Sequence, residues 1–282
     1  MRTPAPPIMS EERPQGYLAW RASSVVDQKQ EGYRAVHVRL RLGDISSAQL
    51  RGVGDLLDRF GDGSLRFTID QNVLIPWVDL RSLPALYGEL TKLDLARLDI
   101  HTARDVTSCP GADTCNLAVT ASRRLASAIS ERLEEADAHD LAAIASTTLK
   151  VSGCPNSCGQ HHIADIGFHG GAKTFHDVGK TVPIYQLHLG GGVDERGARF
   201  GKQVVKLIAR RVPEAVVCLL KLYDSHHTSG ELPKTFFERV DPKLVVSALG
   251  TLVTAPPTRE DEVDIGESRG FVVETREGEC AA

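Results

Sequence analysis

The chain has 282 residues, 41% hydrophobic and 25% charged, the make-up of a soluble globular protein long enough for about two domains. A net charge of −4 supplies no basic footprint for nucleic acid, and no apolar run approaches the ~18 residues of a membrane span. Six cysteines are too few for a secreted disulfide scaffold, and the N-terminus lacks an apolar export core. The expected location is the cytoplasm, where a cysteine cluster points to metal or catalysis.

Residues 1–16 carry Pro4, Pro6, Pro7 and Pro14 and read as a disordered lead-in. A first folded region is expected over 17–98. Val36, Val38, Leu40 and Leu42 alternate with His37, Arg39 and Arg41, as in a half-buried strand. Ser46 or Ser47 can cap a helix striped by Leu50, Val53, Leu57 and Phe60, and Gly61-Asp62-Gly63 ends it. Leu65, Phe67 and Ile69 alternate as a strand, Asp70-Gln71-Asn72 turns, Val73–Val78 is another strand and Leu80–Leu93 a helix. The order β-α-β-β-α is a ferredoxin-like unit short of its last strand, with a sheet edge left to be covered.

A second region is expected over 99–250. Cys115–Glu135 has helical spacing, and Thr148–Val151 is a short strand leading to Cys154. Ile163–Phe168 and Tyr185–Leu189 read as strands, Lys202–Val212 and Ala215–Tyr223 as helices. From 251 the chain becomes an acidic tail, most of it solvated. The fold class is therefore α+β.

Four cysteines form two tight pairs: Cys109-Pro-Gly-Ala-Asp-Thr-Cys115 and Cys154-Pro-Asn-Ser-Cys158. Gly111, Gly153 and Gly159 sit inside or beside them. A metal cluster needs converging thiolates, and glycine lets backbone N–H groups approach the sulfurs. Zinc sites usually pair cysteines two to four residues apart, whereas here one gap is five and the other three, and neither C-x2-C nor the ferredoxin run is present. By ligand softness the set suits a [4Fe–4S] cluster or zinc, and unrelated buried thiols are the third possibility. Cys218 sits in the apolar AVVCLLKLY and reads as a small core residue, and Cys280 as a tail thiol. His161 and His162 are structural or deliver protons, and His226-His227 is a loop. Gly190-Gly191-Gly192 lacks a G-x-G-x-x-G continuation, so no nucleotide site is expected.

The segments TSCPGADTCNLA (107–118), VSGCPNSCGQHHIADIGFHGG (151–171) and YQLHLGGG (185–192) resemble the sirohaem and [4Fe–4S] half of the assimilatory nitrite and sulfite reductases. Upstream, LGDISSAQL and LRFTIDQNVLIPWV resemble the family's ferredoxin-like half-domain. The resemblance implies a half-domain at 17–98 and a sirohaem and [4Fe–4S] domain at 99–250. It implies that Cys109, Cys115, Cys154 and Cys158 bind the cluster, and that Cys158 is also the axial ligand of the sirohaem iron and the catalytic residue. Asn156, Gln71 and Asn72 would pack against the macrocycle, and His188 and Gly190 would lie beside it. The implied reaction is the six-electron reduction of sulfite to sulfide or nitrite to ammonium, with electrons from ferredoxin or a similar donor.

Family members carry the half-domain and large domain twice. This chain has one copy, which matches the second, and the basic residues of the first are absent. Those near the motifs are Arg66, Arg104, Lys173, Arg199 and Lys202. The implied partner is a companion half or a second copy of the chain. A non-catalytic electron-transfer or assembly subunit is the alternative function, and a zinc-stabilised binding module a further one.

Overall fold

The computed structural model describes residues 3–9, 14–135, 141–176, 179–195 and 197–273. Cys280 lies outside them. The chain divides into two compact units at Ile100/His101.

The first unit opens with α1 (Tyr17–Ser24), β1 (Val25–Asp27) and β2 (Tyr33–Val38). Next come α2 (Ser47–Phe60), β3 (Arg66–Phe67), β4 (Val73–Asp79) and α3 (Leu83–Lys92). The antiparallel sheet runs β1-β2-β4-β3, so the expected β-α-β-β-α order is present with β1 added along β2. A capping box starts α2: the Ser46 hydroxyl accepts from the Gln49 N–H, and the Gln49 amide oxygen accepts from the Ser46 N–H. Val53, Leu56 and Phe60 bury the helix against Val36, Val38, Val73 and Ile75. The expected stripe is rotated slightly, leaving Leu50 exposed. Phe67 and Ile69 are exposed too, and the expected strand 65–69 shortens to two residues. Its alternation is real, and Leu65 packs on the core, but the strand is a sheet edge whose two residues are both exposed. In the lead-in, Ala5 N–H donates to Gly61 O and Ile8 N–H to Ser82 Oγ.

The second unit is built on β5 (Thr107–Ser108), β6 (Leu149–Ser152), β7 (Ile166–Phe175) and β8 (Lys180–Leu189), with α4 (Ser122–Arg132) preceding β6. A short ribbon, β9 (Gly192–Asp194) with β10 (Gly197–Arg199), leads to β11 (Lys202–Ile208). The remaining helices are α5 (Val212–His226), α6 (Pro233–Arg239), α7 (Pro242–Leu249) and α8 (Thr251–Thr254). Strand order is β11-β8-β7-β6-β5, with β5, β6 and β7 parallel and β7, β8 and β11 antiparallel. Two expectations change here. Lys202–Ile208 is a strand: Val204, Val205 and Ile208 are β-branched and the β8 edge requires a partner. The helix expected from Cys115 starts only at Ser122, because the Val119 and Thr120 N–H groups both donate to Gly153 O.

Register divides the sheet chemically. Leu149, Val151, Ile166, Phe168, Leu187 and Leu189 share one face, and α4 packs on that side against β5 and β6. Thr107, Lys150, Ser152, His169, Gln186 and His188 share the other. No helix among the described residues is long and apolar enough to cross a membrane.

The stretch expected to be solvated tail is partly docked. Asp264 is buried and accepts the Ala121 N–H at 2.8 Å. Arg211 clamps the Ala255 and Pro256 carbonyls and the Asp261 carboxylate at 2.8–2.9 Å. Burial raises the Asp261 pKa, but the Thr258 N–H and Arg211 outweigh it and hold the carboxyl below its ordinary 3.8. A carboxyl depressed in the fold contributes stability above 3.8 that is lost as pH falls further. Limited proteolysis should therefore release the segment after Ala255 below about pH 4, and Arg211→Ala should move that release to higher pH. Cleavage independent of pH in both proteins would refute the latch.

Candidate functional site

Strand pairing brings the cysteines together. Ser108 pairs with Val151 across the parallel β5–β6 ladder, and the Cys109 N–H extends it to Val151 O at 3.2 Å. Cys109 therefore leaves β5 beside the end of β6, and Cys154 follows two residues past that end. A tight turn at Gly111 (φ +65°) returns the chain, with the Cys115 N–H on Gly111 O at 2.9 Å. The loop after Cys154 turns through Ser157 at φ +62° to present Cys158. Cys109 and Cys154 are buried, Cys115 is partly so, and Cys158 is exposed. All four are free thiols.

Their electrostatics report convergence. Burial pushes the Cys154 thiol up, and Cys109, Cys158 and Cys115 each add repulsion to its ionised form. The Asn156 N–H opposes them by hydrogen-bonding the sulfur. Cys109 Sγ accepts the Gly153 N–H at 3.1 Å and lies 3.2 Å from Ser122 Oγ. Thiolates gathered this way repel each other unless a cation sits among them. Backbone donors on the sulfurs are what an iron–sulfur cluster requires. The backbone is packed for it too: a Cβ on Gly159 would stand 2.1 Å from Val151 O and 3.0 Å from Cys109 N. The residues present fit a four-thiolate cluster.

The other expected site residues divide. Asn156 is exposed beside Cys158, and its backbone already serves Cys154. Gln71 (φ +64°) and Asn72 belong to the first unit. Asn72 is wholly buried and its Oδ1 accepts the Leu40 N–H at 2.8 Å, so this side chain is engaged with the backbone of its own unit. Gly190 lies against the α6 backbone, where a Cβ would meet Glu238 Cα at 2.5 Å. His188 points into a group of four histidines. His161, His162, His169 and His188 have ring centroids 4.1–5.1 Å apart wherever two of them meet. Burial, then the neighbouring rings, lower the His161 pKa to about 3. Burial and His169 lower His188 to about 4, the Gly201 carbonyl opposing too weakly to offset them. Burial and His162 also lower His169. Lys150, overlooked in the sequence, is buried on the same face near Thr107 Oγ1 and Gln160 Oε1. Its signal was a lysine inside an otherwise fully buried strand. Cys218 is half-buried on α5, with burial raising its pKa.

Residues 26–93 match the nitrite/sulfite reductase ferredoxin-like half domain, and residues 100–240 match the nitrite and sulphite reductase 4Fe-4S domain. The chain belongs to the nitrite and sulfite reductase family. It is 33% identical over 166 residues to a ferredoxin–nitrite reductase of Synechococcus elongatus, covering 59% of this chain and 31% of that one. It is 31% identical over 215 residues to a ferredoxin sulfite reductase of Mycobacterium tuberculosis, covering 73% and 37%. The solved Mycobacterium tuberculosis NirA protein superposes with a TM-score of 0.66 at 29% identity, over 79% of this chain and 41% of that one. A dissimilatory sulfite reductase I shares the fold at 13% identity, with a TM-score of 0.61 over 84% and 72%. The chain spans about a third of the length of the curated relatives it matches.

Gly159→Ala drives a methyl into backbone on two sides. It should cost about 1–3 kcal/mol and lower iron incorporation. Unchanged melting temperature and iron content would show that the loop has room to spare.

Proposed function

We propose that this chain is the cofactor-bearing half of a sirohaem- and [4Fe–4S]-dependent reductase that takes sulfite to sulfide or nitrite to ammonium. The observation that carries it is the convergence of four free thiols of which one, Cys158, is exposed. Cys109, Cys115, Cys154 and Cys158 would hold the cluster, and the accessible Cys158 would also ligate the sirohaem iron. When bound, the two cofactors supply the path for six electrons and the open iron at which the oxyanion is reduced. The protein's own part is positional. Gly153 N–H on Cys109 and Asn156 N–H on Cys154 stabilise the thiolates and tune the potential of what they hold. Asn156, exposed next to Cys158, is the side chain of this unit best placed to contact the macrocycle, and exposed Asn156 and Cys158 share one loop.

Sirohaem carboxylates and an oxyanion both require basic partners. Of the basic residues near the motifs, Arg104 is bound to Leu133 O, Arg199 to Asp194 and Glu238, and Lys202 to Glu238 O. The fold employs these three, which supports a companion half or a second copy as the source of the rest. Ferredoxin or a similar carrier would deliver electrons. A cytoplasmic site belongs to the same proposal, since all the described cysteines are thiols.

The test is anaerobic purification from a host that makes sirohaem, with absorption spectrum, iron and sulfide analysis, and native mass. About five irons, four of the cluster and one of the sirohaem, and about four sulfides, with a sirohaem spectrum and turnover of either oxyanion with reduced viologen, are expected. A filled cluster without turnover would identify an electron-transfer subunit. A colourless zinc protein would overturn the reading. Cys158→Ser should abolish coupling between haem and cluster together with turnover, whereas Cys218→Ala should leave iron content unchanged.

A further inference from the structure

The polar face of the second sheet carries another convergence of donors, made of nitrogen instead of sulfur. His161 and His162 come from the turn 161–163, which rides on β7 so closely that a Cβ on Gly167 would meet His161 O at 1.9 Å. His188 comes from β8. One ring nitrogen from each of the three lies within 4.8 Å of the others. His161 is 0% exposed and His188 1%. His161 Nδ1 meets Ser152 Oγ at 2.9 Å, and His188 Nε2 meets His169 Nδ1 at 2.8 Å. His161 Nε2 is buried without a hydrogen-bond partner, and His188 Nδ1 has none of normal geometry, the Gly201 carbonyl lying near the ring.

A histidine cluster that served packing alone would satisfy both nitrogens of each buried ring, as buried polar atoms ordinarily are. Here His161 has one nitrogen anchored and the other without a partner, and all three rings bring a nitrogen into one small volume. That is the layout of metal-ligating imidazoles, whose second nitrogen is fixed by an outer partner.

We propose that His161, His162 and His188 form a site for a single divalent transition-metal ion of the zinc class, with Ser152 and His169 orienting two of the ligands and a fourth position left to water. Imidazole donors suit zinc, copper, iron and nickel. Burial already keeps His161 and His188 in the neutral form that such ions bind. Around a tetrahedral ion with bonds of about 2.1 Å, ligand nitrogens stand about 3.4 Å apart. The set must therefore contract by about 1.4 Å from its widest separation. His162 can supply that movement, being only half-buried and stacked at 5.0 Å on the exposed Phe200. The site contains no thiol, so it is chemically distinct from the cysteine site.

The test adds zinc alone to the chelator-washed full chain with its cysteines occupied by the cluster, followed by calorimetry. One equivalent should bind. His161→Gln and His188→Gln should each weaken binding by about 100-fold, and Ser152→Ala by about 10-fold. His162→Ala, at a half-buried position, guards against loss of folding, and the His161 and His162 variants should retain the parent's iron and sulfide content. Cobalt in place of zinc should give visible bands of nitrogen coordination without a thiolate-to-cobalt band. Absence of binding, affinity unmoved by these substitutions, or a thiolate band would overturn the site.

Discussion

The parallel pairing of β5 with β6 is the constraint on which the cysteine site depends. Without it Cys109 and Cys154, forty-five positions apart in sequence, would have no reason to meet. The ladder is only two residue pairs long, Thr107 with Lys150 and Ser108 with Val151. It holds because Leu149 and Val151 anchor β6 in the apolar face while β7 continues the parallel register on the other side. Parallel strands end side by side, and loops leaving their C-terminal ends are where open α/β sheets place their chemistry. The two cysteine loops follow that rule, and Gly153 ties them together by accepting both Val119 and Thr120 N–H groups while donating its own N–H to Cys109.

The local patterns of the first unit were legible because its elements are amphipathic in isolation. Ser46 or Ser47 announced the start of α2, and Val53 and Phe60 its buried stripe. The strand at 65–69 was misjudged for a physical reason: alternation records where a face could be buried, while Phe67 and Ile69 sit at an edge and are both exposed. In the second unit, Lys202–Ile208 was ambiguous because a short apolar run fits either period. Only pairing with β8 resolves it. The helix expected from Cys115 failed where tertiary hydrogen bonds to Gly153 O overrode local spacing.

The cysteines were legible because their spacing is unusual and their residue type is rare. The supporting residues were less so. Asn72 looks the same in sequence whether its amide faces a ligand or, as here, the Leu40 N–H. The histidine group was invisible as a group. His161-His162, His169 and His188 lie on three elements, and only register places His169 and His188 on one face beneath the turn. Lys150 was hidden by the alternation of Leu149 and Val151, which draws attention to the opposite face.

The sheet thus separates two kinds of donor. Soft thiols leave the ends of its parallel strands, and imidazoles occupy its polar face. Ligand softness keeps the two apart, because thiolates favour iron–sulfur clusters and imidazoles favour borderline ions. The difference in exposure adds a second separation. Cys158 is open to a large group, whereas His161 and His188 are closed to anything bigger than an ion. A face lined with six polar side chains yet largely shut from solvent is unfavourable unless its hydrogen bonds are nearly complete. In this sheet they are nearly so, through Ser152 to His161, His169 to His188 and Gln186 to the Leu187 and Val205 carbonyls. The rings that keep a nitrogen without a partner of normal geometry, His161 and His188, stand 4.8 Å apart between centroids, where a bound cation would find its donors.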